Sequence, residues 1–185
     1  SLEEAFERAD ALAVHLQQQK MGYAWPVISD KKTIEDVFTV RKKGLGLLMG
    51  VKGNRKPIAF IEDAAVPLEH LSDYIREVFE VCKSNQTPVV AYAHASVGLL
   101  HVKPLLDLRD GADIERMKKI SSEVLQLVKK YKGSWSGEHG DGLARSPYNE
   151  EFFGEKLYRA FKSVKSIFDP HNLLNPGKIV DAPAV

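Results

Sequence analysis

Val89-Val90-Ala91-Tyr92-Ala93-His94-Ala95-Ser96-Val97-Gly98-Leu99-Leu100-His101-Val102-Lys103-Pro104-Leu105-Leu106 decides the fold. Val89–Ala95 and Leu99–Leu106 are the strongest β signals in the chain, and the link between them is too short for a crossover. The two strands must therefore be antiparallel. Helical periodicity brackets them on both sides, which predicts an α+β architecture: an antiparallel sheet with helices packed on one face.

The hairpin also carries chemistry. If Val97-Gly98 is a two-residue turn, Ser96 pairs with Leu99, Ala95 with Leu100 and His94 with His101. Paired residues share a face, with Cβ atoms roughly 4.5–5.5 Å apart. Two imidazoles so placed can reach one metal ion at about 2.0–2.1 Å each. Gly98 suits a turn because glycine readily takes a positive φ. Val97 is an unusual first turn residue, where Asn or Asp is commoner. A lone histidine is usually just a satisfied polar side chain; two in register are more telling.

Some forty residues later comes Gly137-Glu138-His139-Gly140-Asp141-Gly142. Glu138 is a hard oxygen donor that complements two imidazole nitrogens and leaves a coordination position open. His139 adds an imidazole suited to proton abstraction. Neighbours on a regular strand point apart, so both serve one site only where the backbone turns, as the flanking glycines permit.

Outward from the hairpin, Leu2, Phe6, Ala9, Leu12, Ala13 and Leu16 predict an amphipathic helix ending near Gly22. Tyr23–Ser29 reads as a short extended segment around Pro26. A second helix is expected over about 33–44, stopped by Gly44 and Gly46. Ile58–Ala65 reads as a strand, and Pro67 opens a helix with Leu71, Tyr74, Ile75, Val78, Phe79 and Cys82 on its buried face. Asp110 or Asp113 caps a long helix with Ile114, Met117, Ser121, Val124, Leu125 and Val128 at helical spacing. A last helix spans about 149–168 and stops before Asp169-Pro170. The tail, 172–180, reads as a loop with a short terminal strand.

The 185 residues, 44% hydrophobic and 28% charged, suit a soluble globular chain of one domain or two small ones. With 26 basic and 25 acidic residues there is no general electrostatic case for nucleic acid as a partner. The one cysteine, Cys82, excludes an internal disulfide framework and a multi-cysteine metal site. A reducing, cytoplasmic setting is the default. No apolar run approaches the roughly 18 residues of a membrane span. The chain opens in helical sequence without Met, so a fragment of something longer is expected.

These motifs, in this order, resemble the C-terminal region of FAD-linked oxidases of the vanillyl-alcohol-oxidase type, in the D-lactate, glycolate and D-2-hydroxyglutarate dehydrogenase branch. The family's His-Ala-Gly-Asp-Gly-Asn-Leu-His is similar to His94–His101, and its Gly-Glu-His-Gly to Gly137–Gly140. Its closing Asp-Pro-x-x-x-x-Asn-Pro-Gly-Lys is similar to 169–178, and Phe60–Pro67 resembles its strand into the next helix. The resemblance covers essentially all of 1–185 and implies a ferredoxin-like α+β substrate domain, its antiparallel sheet packed by helices on one face, that caps FAD held mainly by a preceding FAD-binding domain. It implies a divalent metal (zinc, iron or manganese) on His94, His101 and Glu138, gripping a small 2-hydroxy acid. His139 is then the catalytic base, while hydride passes to flavin N5. Arg41 matches an arginine that binds a substrate carboxylate, Lys103 shares the strand face of His101 and can touch substrate, and Asn175 matches a residue near the flavin. Peripheral association with the inner membrane is compatible with this branch.

Ser96-Val97 replaces the family's Gly-Asp and Leu99 its Asn, so the histidines are retained while polar hairpin groups are not. Larger members append iron–sulfur modules, for which this chain has no cysteines. Two other readings use the same residues: a flavin-independent metal hydrolase built on the His-His-Glu set, and a non-catalytic interaction domain.

Overall fold

A computed structural model describes residues 1–184; Val185 and the side chain of Leu45 lie outside the described residues. The chain, read from sequence as one domain, divides into two compact units, Ser1–Val51 and Lys52–Val185.

The first unit is a helix pair. Helix α1 spans Leu2–Gln18 and α2 spans Lys31–Met49, where Asp30 caps α2 by accepting the Thr33 N–H at 2.8 Å. The stretch between them forms no regular strand. Ala24, Trp25, Pro26, Val27 and Ile28 line a recess with the Phe6, Ala9 and Leu16 face of α1. Gly44 and Gly46 do not stop α2, which runs on to Met49 and is capped by Gly50. A helical glycine costs about 1 kcal/mol relative to alanine, too little to end a helix by itself, and α2 closes instead at Gly50, whose φ stays at −77° while its N–H bonds back to the Gly46 and Leu47 carbonyls.

The second unit holds the sheet. Its elements are β1 (Lys56–Pro57), β2 (Ala64–Ala65), a 3-10 turn over Leu68–His70, α3 (Leu71–Ser84), β3 (Val89–His94), β4 (Leu99–Leu106) and α4 (Gly111–Lys130). After these come α5 (Gly142–Arg145), α6 (Asn149–Phe153) and α7 (Glu155–Phe168). Strand β4 is central: β3 lies antiparallel on one side, and β1 and β2 lie antiparallel on the other. Ala65 makes a further antiparallel bridge to Ser134, so the order across the sheet is ferredoxin-like, as expected.

The hairpin register differs from the expected one. His94 faces Leu99, and His101 faces Tyr92. The connection is a four-residue one, with a 3-10 turn over Ala95–Val97 and Gly98 at φ 70°. Gly98 is irreplaceable on a second count, since a Cβ there would sit 1.9 Å from the Val66 carbonyl oxygen. Valine resists the positive φ that a tight two-residue turn demands, so the loop lengthens. The shift is two residues, so the side-chain faces are preserved, and His94 and His101 still share one.

The strand expected over 58–65 is interrupted. Pro57 lies opposite Leu105 and Ala64 opposite Leu100, so seven steps here face only five on β4. Pro104 has no N–H to donate, and the surplus residues bulge out in a turn at Glu62-Asp63, with Asp63 at φ 79°. The bulge carries two carboxylates to the sheet face opposite the helices.

Even-numbered β4 residues Leu100, Val102 and Leu106 join Tyr74, Val78 and Cys82 of α3 and Ile120, Val124, Leu125 and Val128 of α4 in one core. Asp110 caps α4 by accepting the Ala112 N–H at 2.9 Å. Burial pushes the Cys82 thiol up to about 11. The expected last helix is broken at Gly154, whose φ of 80° separates α6 from α7. The tail forms no strand among the described residues. Ile179, at φ 65°, donates its N–H to Ser146 Oγ at 2.8 Å and accepts from Asn149 Nδ2 at 3.0 Å.

Candidate metal centre

The sheet face away from the helices carries a polar cluster. Strand β4 supplies His101 and Lys103, the end of β3 supplies His94, the bulge supplies Glu62 and Asp63, and the segment after Trp135 supplies Glu138 and His139. The floor is buried: His101 is 1% and Asp63 0% exposed. The rim is open, with the side chains of His94, Glu138 and His139 at 39%, 45% and 44%.

Three imidazoles converge on one oxygen. Glu138 Oε1 lies 3.5 Å from His94 Nε2, 3.0 Å from His101 Nε2 and 3.4 Å from His139 Nε2. Two ligand atoms each about 2.1 Å from a tetrahedral ion lie about 3.4 Å apart, so the spacing suits a shared cation. The rings pack closely: His101 stacks on His139 at 5.1 Å between centroids, meets His94 edge-on at 5.1 Å and rests on Tyr92 at 4.5 Å.

His101 is the telling member. Among the described residues neither of its ring nitrogens has a hydrogen-bond partner. Its Nε2 is near Glu138 without the alignment a hydrogen bond needs. A buried, unpartnered polar group costs roughly 1–3 kcal/mol and calls for an explanation such as an ion. Burial holds this imidazole below its ordinary titration range; the Glu62 and Glu138 carboxylates pull the other way, while the His139 and His94 rings add to the lowering. A neutral imidazole is the form that ligates metal. The donor set of nitrogens and a carboxylate therefore fits a divalent transition ion.

Asp63 fixes the backbone under the rim. Its Oδ1 accepts the Glu138 N–H at 2.9 Å, and its Oδ2 accepts the His139 N–H at 2.9 Å and the Ser136 hydroxyl at 2.6 Å. Burial alone would raise this carboxyl, but those three donors and the Arg145 guanidinium outweigh it and hold it below the usual carboxylate range. Arg145, itself buried, donates to the carbonyls of Glu62 and Gly140. This is how adjacent Glu138 and His139 reach one cluster: each backbone N–H is pinned, and the two side chains meet at 3.4 Å.

The sequence reading named His94, His101, Glu138 and His139, and all four meet here. It placed Lys103 on the face of His101, where it lies buried with its ammonium ion-paired to Glu62. It missed Glu62, Asp63 and Arg145; the signal for the first two was an acidic pair inside the apolar run Phe60-Ile61…Ala64-Ala65. Arg41 is exposed on α2 in the first unit. Asn175 lines a largely apolar cavity of about 580 Å³ with Phe161, Val164, Phe168 and Val180. No helix among the described residues is long and apolar enough to cross a membrane.

Residues 1–179 match the family described as FAD linked oxidases, C-terminal domain. The chain is 44% identical over 172 residues to the D-2-hydroxyglutarate dehydrogenase of Pantoea ananatis, covering 93% of this chain and 16% of that protein. It is 42% identical over 187 residues to the D-2-hydroxyglutarate dehydrogenase of Escherichia coli, covering 96% of this chain and 18% of that protein. The glycolate oxidase subunit GlcD of Bacillus subtilis is 28% identical over 152 residues, or 82% of this chain and 32% of that one. The chain thus spans 16–18% of the length of the first two relatives. With the family match running through the hairpin, the bulge and the Gly-Glu-His-Gly turn alike, this chain belongs to the FAD linked oxidase C-terminal domain family.

Proposed function

We propose that this chain is the substrate- and metal-binding part of a flavin-dependent dehydrogenase that oxidises a D-2-hydroxy acid to the 2-oxo acid. D-2-hydroxyglutarate is the substrate suggested by the relatives' names. The observation that carries the proposal is the convergence of three imidazole nitrogens on Glu138 Oε1 above the unpartnered, buried ring of His101.

His94, His101 and Glu138 would hold the ion. When bound, a divalent metal acidifies a hydroxyl group and neutralises a carboxylate placed on it. When bound, FAD takes up the hydrogen and electron pair that leave the substrate's C2. The chain's own residues do the rest. His139 Nε2 faces the cluster and accepts the hydroxyl proton, which a neutral imidazole does well near pH 7. The Asp63 carboxylate holds that imidazole's backbone while the charge changes. Asn175 would lie near the flavin, which the rest of the same polypeptide would hold. A reducing, cytoplasmic location is the proposed setting, the usual one for a sequence with a single cysteine among 185 residues.

The test is anaerobic mixing of the full-length, flavin-loaded protein with D-2-hydroxyglutarate, D-lactate or glycolate. Rapid bleaching of the flavin by one of the three, abolished by chelation and restored by a divalent metal, is expected. Failure of all three to bleach it would overturn the proposal.

A further inference from the structure

The bulge does more than hold backbone. Glu62 Oε1 lies 3.2 Å from His139 Nδ1, on the side of the ring away from Glu138. The other oxygen of the same carboxylate is ion-paired to Lys103 Nζ. Both partners are sheltered, with side chains 9% exposed for Lys103 and 13% for Glu62. The backbone carbonyl of Glu62 is held by Arg145. Lys103, Glu62 and His139 thus form a chain of three groups ending at the metal cluster.

We infer that Glu62 is a positioning residue for His139, with Lys103 holding its charge, so that His139 carries its proton on Nδ1 and presents a bare Nε2 to the substrate. The inference rests on the reading of His139 as the base. A carboxylate paired to an ammonium accepts hydrogen bonds and does not donate them. Both ring nitrogens face a carboxylate, but only the Nδ1 contact with Glu62 has hydrogen-bond geometry, at 3.2 Å against 3.4 Å for Nε2 and Glu138, so the proton is assigned to Nδ1 and the neutral ring keeps its lone pair on Nε2. That nitrogen, Nε2, is the one 3.4 Å from Glu138 Oε1. When His139 takes the substrate's hydroxyl proton, the Glu62 carboxylate stabilises the imidazolium that results, the logic of the acid–histidine pair in hydrolases. Balance is simple: the O–H proton moves to Nε2, the Nδ1 proton stays, and the hydrogen with its electron pair leaves C2 for the flavin. Lys103 acquires a role through Glu62 rather than through direct contact with substrate.

The neighbouring carboxylates of the bulge divide the task. Asp63 fixes where the His139 backbone stands, and Glu62 fixes how its ring is turned and which nitrogen is protonated. A purely structural alternative is that Glu62 only neutralises a buried lysine. The two differ in what Glu62→Gln does, since glutamine preserves size but offers its amide as donor or acceptor to Nδ1.

The experiment compares full-length, flavin-loaded wild type, Glu62→Gln, His139→Ala and the double variant. Single-turnover flavin reduction by D-2-hydroxyglutarate, bound metal and substrate affinity are measured on each. Glu62→Gln should slow reduction about 10–100-fold, the usual effect of removing an orienting partner, with metal content and substrate affinity retained. In the His139→Ala background the same substitution should change nothing, because its effect passes through the ring. An unchanged rate in Glu62→Gln, or an equal loss in both backgrounds, overturns the inference and leaves the base assignment standing. An unchanged rate in His139→Ala overturns both. Histidine-selective nitrogen NMR of the wild-type protein gives a readout that needs neither turnover nor a variant that folds: a proton on Nδ1 of His139 is expected, and one on Nε2 overturns the inference.

Discussion

His101 stands directly across the hairpin from Tyr92, and the two rings lie 4.5 Å apart at 31°. His94 occupies the diagonal position two residues further along the same face. The deeper histidine is thus covered by an aromatic ring on one side and by His139 on the other, while His94 sits at the rim.

That asymmetry predicts unequal ligands. His101→Ala should reduce metal affinity more than His94→Ala, because His101 is preorganised by packing and His94 is 39% exposed on its side chain. Calorimetric titration of metal into each full-length variant checks this, and equal losses would contradict it.

The unpartnered ring of His101 predicts a trade of stability for binding. In metal-free protein, His101→Leu should raise stability by about 1–2 kcal/mol, since the desolvation cost of two ring nitrogens disappears. Added divalent metal should stabilise the wild type and leave the variant unmoved. Thermal melting with and without chelator separates the two cases.

A second buried carboxylate has no part in the site. Asp113 accepts Arg55 Nε and Nη2 at 2.9 and 2.8 Å, the Asp107 N–H at 2.9 Å and a bond from Arg116. Asp113→Ala should destabilise the second unit by about 3 kcal/mol, the cost of breaking a buried charge pair. Denaturant unfolding should show it, with flavin reduction per folded molecule unchanged.

The same group predicts an acid limb of stability. Burial alone would raise the Asp113 carboxyl, but the Asp107 N–H, Arg116 and Arg55 hold it below the ordinary value of 3.8. Its folded value is depressed, so its contribution is fully present above the unfolded value and is lost as pH falls through the folded one. Unfolding free energy should therefore decline below about pH 4, and less steeply in Asp113→Asn. Parallel slopes in the two proteins would contradict this.

Gly98→Ala should be among the most damaging single-methyl changes in the chain. The new Cβ would meet the Val66 carbonyl at 1.9 Å, and φ is 70°. A loss of about 2 kcal/mol or more, together with weaker metal binding through displacement of His94, is expected from melting and titration.

What could be read from sequence follows the range of the forces involved. The hairpin strands, α3, and α4 with its Asp110 cap were legible because periodicity and capping are local. The face shared by His94 and His101 was legible even though their register was not, since a two-residue shift leaves parity intact. Glu62, Asp63 and Arg145 were hidden because, apart from the Arg145 bond to Gly140, the partners of their side chains lie 41–83 residues away in sequence. The run of α2 through Gly44 and Gly46 was hidden for another reason: a glycine's type does not reveal its φ.

The bulge between β1 and β2 constrains the length of the chain as well as its letters. Removing one residue from 58–63 would turn Ala64 from the core to the opposite face and roll β2 over, whereas removing two would restore the faces and simply flatten the strand. The flattened form would still fold as a sheet with its helices, but Glu62 and Asp63 would be drawn back into line. Insertions and deletions in this one loop therefore separate a domain that merely folds from one that holds Glu138 and His139 ready.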